Sequence, residues 1–555
     1  MNGAEAAVRT LQSRGVEILF GLCGDTTLPL YEALHDLDHG MRHVLTRDER
    51  SASFMADAYA RFSGKVGVCE APSGGGALYV LPGLAEANAS SVPVVCITSD
   101  IDQSEAGRGT LTELDQVALF RPVTKWTHMP SRASEVPRSL KKAFRLAMSG
   151  ALGATHVNLS FDVQTGDATG FERPAHVHDS GYPLSRAAPD AELVRRAARI
   201  LSDASRPLII AGAGVLRSGA WEELTALAHA LGAPVATSIS GKGSIAEIDP
   251  YALGVIGSNG GLPYRHEMLR KADVLLYVGC AQGSVTTEKW TLPKDREKRI
   301  VQLDIDPARI GHNYETEVGL CGDARTGLEI LVEMVGSIGP KVDPEEIERR
   351  RHEFLESVEA FHSDETPIRP ERFLAELLPR LPDDAVLCVD PGTGCPYVSA
   401  YHRLPRAGRW FVSPRAHGAL GYALPAVCGA YFARPDAGRV VGIMGDGSFG
   451  ISCGELETMV RLALPVTLIV FNNRGYGWIK AGQKVRGGKY YSVDFSDSDH
   501  AAIARAFGLK ARRVENPAEI ALALEEGLSS KGPYLLDVVT QPLEEARAPV
   551  SKWIA

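Results

Sequence analysis

Residues 440–473 read VVGIMGDGSFGISCGELETMVRLALPVTLIVFNN. Two apolar runs, Val440–Met444 and Val466–Asn472, have the length and β-branched content of buried strands. Between them lies a turn with two glycines and a stretch predicted as a helix, roughly Ser452–Leu462. Strand–helix–strand at this length predicts two neighbouring parallel strands. Asp446 then stands at the carboxyl end of the first strand and Asn473 at that of the second, 27 positions on. That edge is where open α/β sheets bind ligands.

The side chains on these two tips suit one kind of chemistry. A carboxylate and an amide carbonyl are hard oxygen donors, appropriate to Mg²⁺ with phosphate oxygens and water completing an octahedron. The Gly475 carbonyl is a candidate third protein ligand. Gly445 and Gly447 allow a tight turn and close backbone approach to an anion, and Ser448 adds another N–H. The helix expected next would aim its N-terminus at the same place.

The same alternation of strand and helix extends over the chain. The first block, 1–163, carries predicted strands Glu17–Phe20, Lys65–Cys69, Val92–Thr98 and His156–Leu159, with a helix over Arg50–Arg61. Gln164–Pro189 is polar and reads as a linker. The second block, 190–335, has Pro207–Ala211, Pro234–Thr237, Val274–Val278 and Arg299–Asp304. A charged helix near Pro344–Glu359 leads to the third, 366–555, with Ala385–Val389, Val440–Met444, Val466–Asn472 and Tyr534–Val539. The expected class is α/β, with three doubly wound parallel-sheet domains.

Bulk properties exclude several functions. The 555 residues carry a formal net charge of −9 and no dense Lys/Arg run, against nucleic-acid binding. No stretch approaches a membrane span, and the N-terminus lacks the apolar core of a signal peptide. Nine scattered cysteines without a C-x-x-C pair point to reduced thiols in a cytoplasm.

The spacing GDG…NN, placed on strand tips, resembles the signature of thiamine-diphosphate-dependent enzymes. The whole chain resembles the superfamily of acetolactate synthase, benzaldehyde lyase and benzoylformate decarboxylase. That resemblance implies pyrimidine-binding, central and diphosphate-binding domains in the order of the three blocks. It also implies homodimers or homotetramers with active sites between subunits.

It assigns further residues. HVLTRDERSASFMADAYAR, residues 43–61, resembles the pattern around the Glu that bonds N1′ of the aminopyrimidine, and Glu49 matches it. Asp390-Pro-Gly-Thr-Gly looks like a diphosphate-contacting loop, through Gly392 and Thr393. SPRAHGALGYALPA, residues 413–426, resembles the loop under the cofactor. There the Gly418 carbonyl would accept from N4′ and Leu420 would wedge the two rings into a V, unless it is a plain core leucine. His417 is either a proton shuttle or turned away.

Substrate positions are mixed. Asp25 fits the decarboxylase pattern, but the histidine pair that accompanies it there is absent. Ile479 stands where such decarboxylases carry Glu. Ser73-Gly-Gly-Gly76 resembles the synthase loop without its proline, and Thr112 stands where synthases carry Gln. Lys125 contacts substrate or caps the domain surface.

PLIIAGAGVLRSG, 207–219, has a Gly-rich turn after a strand. The central domain of this superfamily holds FAD, holds ADP or is empty, and Ala281-Gln-Gly-Ser departs from the synthase motif there. The expected activity is 2-oxo acid decarboxylation with carboligation. The alternatives are a 2-hydroxy ketone or 2-hydroxyacyl-CoA lyase, a simple decarboxylase, a nicotinamide dehydrogenase built on Gly212–Gly214, and a silent homologue.

Overall fold

A computed structural model describes residues 1–169, 180–294, 296–545 and 548–553. They divide into two compact units. The first combines Met1–Ser185 with Leu424–Pro435 and Ser452–Leu464. The second comprises Arg186–Ala423, Asp436–Ile451 and Pro465–Ala555.

The strands of the first sheet are β1 (Ile18–Gly21), β2 (Arg42–Leu45), β3 (Gly67–Ala71), β4 (Val94–Asp100), β5 (Trp126–His128) and β6 (Ala154–Ser160). They are arranged β2-β1-β3-β4-β6-β5, and every pairing is parallel. β3, β4 and β6 are buried along their whole length, as a sheet covered on both faces requires. The strand β1 is followed by Asp25 and Thr26, β2 by the helix Glu49–Ser63, and β3 by the loop Pro72–Gly76.

The central sheet contains β7 (Pro207–Ala211), β8 (Val235–Thr237), β9 (Ala252–Val255), β10 (Val274–Val278), β11 (Arg299–Asp304) and β12 (Val318–Cys321). Its order is β12-β11-β10-β7-β8-β9. Ile209, Leu276, Val301 and Leu320 face one hydrophobic cluster, while Leu208, Ile210, Leu275 and Tyr277 face another. This alternation is what makes the sheet doubly wound.

The third sheet contains β13 (Val386–Val389), β14 (Phe411–Val412), β15 (Val440–Gly445), β16 (Val466–Asn472), β17 (Lys510–Val514) and β18 (Tyr534–Val539). Its order is β14-β13-β15-β16-β18-β17, again all parallel. Three six-stranded parallel sheets with flanking helices match the expected fold class.

Local differences have physical reasons. The helix expected over Ser452–Leu462 is broken. A first helix runs Asp446–Ser452, a 3₁₀ turn covers Cys453–Glu455, and a second helix covers Leu456–Arg461. The helix whose N-terminus meets the GDG turn is therefore the short one that starts on Asp446 itself. The stretch read as a linker is partly packed. The helix Phe161–Thr165 runs into it, and Ala168 and Tyr182 are buried. Its residues 170–179 lie outside the described residues.

The Gly-rich turn after β7 is closed by backbone. Gly212 N–H donates to the Val278 carbonyl (2.9 Å) and Gly214 N–H to the Gly279 carbonyl (3.0 Å). A Cβ on Gly214 would stand 2.5 Å from Gly279 Cα. These glycines serve strand-to-turn packing, and their N–H groups are already used.

Candidate active site

In the second unit, β15 and β16 run in register with Gly445 opposite Phe471. The next residue of β15 is Asp446 and the next two of β16 are Asn472 and Asn473. The two tips predicted to be neighbours are neighbours. The Asp446 carboxylate is buried and accepts from the N–H of Gly447 (2.8 Å) and of Gly475 (3.2 Å). Burial pushes its pKa up to about 6, against the pull of those N–H groups. Asn473 donates Nδ2–H to Thr393 Oγ1 (3.4 Å), while its Oδ1 is buried without a partner. The Gly475 carbonyl accepts from Gly477 N–H (2.9 Å), which leaves it one further lone pair.

An orphaned amide oxygen, a carboxylate and a half-used carbonyl on adjacent loops fit a hard divalent cation. Among the described residues no cluster of three or more His, Cys, Asp or Glu side chains could hold a metal in another way. A Cβ at Gly447 would lie 2.8 Å from Tyr476 Cε1, so this position tolerates no side chain without displacing that ring.

Sequence reasoning passed over Asp390 as a hub. Its fully buried carboxylate accepts the N–H of Tyr422 (2.9 Å) and Ala423 (3.0 Å), and it also bonds the Ser448 side chain. Burial raises its pKa to about 6. One carboxylate thus ties the loop of Gly392–Thr393 to the loop of Gly418–Leu420 and to the GDG turn. Leu420 is half-buried against Gly392, where a Cβ would come 3.7 Å from its Cδ2. Gly418 takes a left-handed φ of +63°. His417 is exposed and Ile479 is 53 % exposed.

Behind the β16 tip, Asp537 accepts from Asn472 Nδ2 (3.0 Å) and His500 N–H (3.0 Å). That buried network fixes the residue adjoining Asn473. It lay unseen because His500 and Asp537 stand 37 positions apart, with no spacing signature.

In the first unit, Glu49 opens its helix directly after the N-cap Asp48, which accepts from Arg50 N–H (2.8 Å). The Glu49 side chain is buried, and a Cβ at Gly76 would stand 3.0 Å from its Oε1. Burial, with the Asp48 and Glu70 charges adding, raises its pKa. The approach to Glu49 is clamped. Arg47 N–H donates to Glu455 (2.8 Å), and Arg461 donates to the Leu45 carbonyl (2.6 Å). Nearby, fully buried Glu70 accepts from the Tyr31 hydroxyl (2.5 Å) and lies 3.2 Å from His43 Nε2.

Asp25 is exposed. Thr112 bonds Ser73, which in turn bonds Thr26, so three of the candidate substrate loops meet. Lys125 resolves its alternatives. Its Nζ donates to the carbonyls of Leu146 (2.7 Å), Ser149 (2.9 Å) and Ala151 (2.6 Å), capping the end of the helix Val136–Ala147.

Three family descriptions match in succession. They are the thiamine pyrophosphate enzyme N-terminal TPP binding domain over residues 1–119, the central domain over 194–331, and the C-terminal TPP binding domain over 392–538. Curated relatives include a probable acetolactate synthase large subunit of Methanococcus aeolicus, 35% identical across 98% of this chain and 92% of that protein. The equivalent protein of Methanocaldococcus jannaschii is 34% identical across 98% and 93%. The acetolactate synthase isozyme 3 large subunit of Escherichia coli is 30% identical across 95% and 92%. The chain therefore belongs to the thiamine pyrophosphate-dependent enzyme family, with acetolactate synthase-like relatives along nearly its whole length.

Proposed function

We propose that this enzyme decarboxylates a 2-oxo acid and joins the remaining acyl unit to a second carbonyl compound, with thiamine pyrophosphate and Mg²⁺. The observation that carries this reading is the unpartnered Asn473 Oδ1 beside Asp446, a hard-oxygen set aimed from two strand tips. Asp446, Asn473 and the Gly475 carbonyl hold the cation. Gly392, Thr393, Gly445, Gly447 and Ser448 cradle the diphosphate, with Asp390 keeping their loops in register. The Gly418 carbonyl and Leu420 set the cofactor's conformation.

When bound, thiamine pyrophosphate supplies a thiazolium carbon acid that serves as nucleophile and electron sink at the substrate carbonyl. Glu49 is buried, which disfavours its charged form, and its carboxyl would share a proton with the aminopyrimidine N1′. Ile479 presents an apolar side chain, so it supplies no acid to protonate the product. That favours carboligation over simple decarboxylation. Gly212 and Gly214 spend their N–H groups on carbonyls, which lends no support to a nicotinamide or phosphate site at those two glycines. FAD and ADP have no residue in their favour at that turn. The working assembly is a homodimer or homotetramer in the cytoplasm.

The test is a panel of 2-oxo acids with CO₂ and acyloin both measured. The proposal expects both products in step. CO₂ with free aldehyde alone would make the enzyme a simple decarboxylase. Aldehyde from an added acyloin, without CO₂ from any 2-oxo acid, would make it a lyase.

A further inference from the structure

The helix Gly394–Tyr401 has eight residues and is buried from Gly394 to Ala400. Its N-cap is Thr393, which also meets Asn473 Nδ2 (3.4 Å). Its far end lies against the turn that follows β9. A Cβ on Gly260, in that turn, would stand 2.6 Å from Ser399 Cβ. The last carbonyls of a buried helix have no intrahelical partner and no water, so other donors must reach them.

Two buried cations from the central segment do so. Lys242 Nζ donates to the His402 carbonyl (2.6 Å), and Arg265 Nη2 donates to the Ala400 carbonyl (2.9 Å). Their charges act differently. Lys242 is paired with Glu247, which also accepts Leu404 N–H (2.8 Å), so that pair adds no net charge. Among the described residues no carboxylate pairs with Arg265. It donates to the Tyr264 hydroxyl (3.2 Å) and to the carbonyls of Val255 (3.1 Å) and Gly260 (3.2 Å), all uncharged. A guanidinium keeps its charge, and a buried charge among neutral groups is costly. The field of the helix offsets that cost, since its carbonyl end is negative and its N–H end positive.

We propose that Arg265 is a positioning residue for the cofactor's diphosphate. Its charge neutralises the carbonyl end of the helix Gly394–Tyr401, which leaves the opposite end, at Thr393, the stronger anchor for an anion. This rests on the function proposed above, which sets Gly392 and Thr393 against the diphosphate. It gives the central sheet a task that needs no nucleotide, because the helix Pro263–Lys271 of that segment delivers the cation. Eight residues of helix span about 12 Å. A unit charge acting over about 12 Å on a ligand with one net negative charge, at an effective dielectric constant of about 20, changes affinity by about tenfold.

The experiment measures the dissociation constant of thiamine pyrophosphate at saturating Mg²⁺ by calorimetry on the full chain, with the melting temperature read in the absence of both. Arg265→Gln keeps a hydrogen-bond donor and removes the charge, and it is expected to bind about tenfold more weakly than the parent. Arg265→Lys keeps the charge and loses the planar fork, and it is expected to stay within about threefold of the parent whatever its melting temperature. A role in packing alone would give the opposite order, because lysine cannot hold Val255, Gly260 and Ala400 together as the fork does. Equal binding by Arg265→Gln and the parent overturns the inference. So does a loss beyond about threefold in Arg265→Lys. If Arg265→Gln does not fold, the lysine variant decides by that same limit. All of these outcomes leave the proposed cofactor site standing, since the parent binds. Failure of the parent itself to bind thiamine pyrophosphate would overturn the proposed function, and this inference with it.

Discussion

Replacing Asp390 by Asn should stabilise the metal-free protein at pH 8 and cost it about 1 kcal/mol at pH 4. Asp390 is fully buried, and its pKa rises from 3.8 to about 6. The difference, 6 − 3.8, corresponds to about 3 kcal/mol at about 1.36 kcal/mol per unit. The sign follows from proton binding. Between pH 3.8 and about 6 the folded chain holds a proton that the unfolded chain has lost. Stability from the protonated acid is therefore complete below the unfolded value and is lost as pH rises through about 6. Asparagine keeps an oxygen for the N–H groups of Tyr422 and Ala423 and removes the charge. Its amide N–H₂ would occupy the place of Oδ2, which has no partner, at a cost of about 1 kcal/mol. The expected net gain at pH 8 is about 2 kcal/mol. Urea unfolding followed by tryptophan fluorescence reads this region directly, because Trp410, Trp478 and Trp553 pack against the core of the third sheet. A variant less stable than the parent at pH 8, or equally shifted at both pH values, would refute the reasoning.

Glu49→Gln should retain cofactor binding while turnover falls by about 10²–10⁴-fold, because proton transfer is removed and packing is kept; near-normal rates would contradict the role given to Glu49. Asp446→Ala should abolish the rise in melting temperature that Mg²⁺ and thiamine pyrophosphate give the parent. A full shift in that variant would place the cation elsewhere. Gly429→Ala should cost roughly 1–3 kcal/mol, since its Cβ would stand 2.2 Å from the Met55 carbonyl oxygen and backbone yields little. Unchanged thermal unfolding would show that the two segments separate easily.

Much of the fold was legible because buried parallel strands advertise themselves. Pro207–Ala211 and Val274–Val278 are apolar throughout, Val466–Asn472 and Tyr534–Val539 are mostly so, Arg299–Asp304 is partly so, and the expected bounds of all five match the observed ones. Phe411–Val412 is two residues long, and Lys510–Val514 carries three basic side chains on an edge, so neither gives that signal. Asp446 and Asn473 were legible because strand tips fix their neighbourhood. The helix after them was misplaced because GDGSFG looks like a turn, while a helix begins on Asp446 itself. The Asp390 hub, the Asp537 network and the hydroxyl chain were invisible for one shared reason. Each joins loops far apart in the chain, and no local spacing encodes which loops will meet.

The clamp on Glu49 comes from residues more than 400 positions downstream, Glu455 holding Arg47 and Arg461 holding Leu45. During synthesis the first β-sheet therefore emerges long before the pieces that complete it. Until residue 464 has cleared the ribosome, the surface that Leu424–Pro435 and Ser452–Leu464 will cover stays bare. A fragment ending at Ser185 would carry every strand of that sheet and still lack its keystone. Gene-splitting or domain-swapping schemes that cut this enzyme at block boundaries would orphan Glu49, whereas a split that co-expresses both pieces would let the late segments find it in trans.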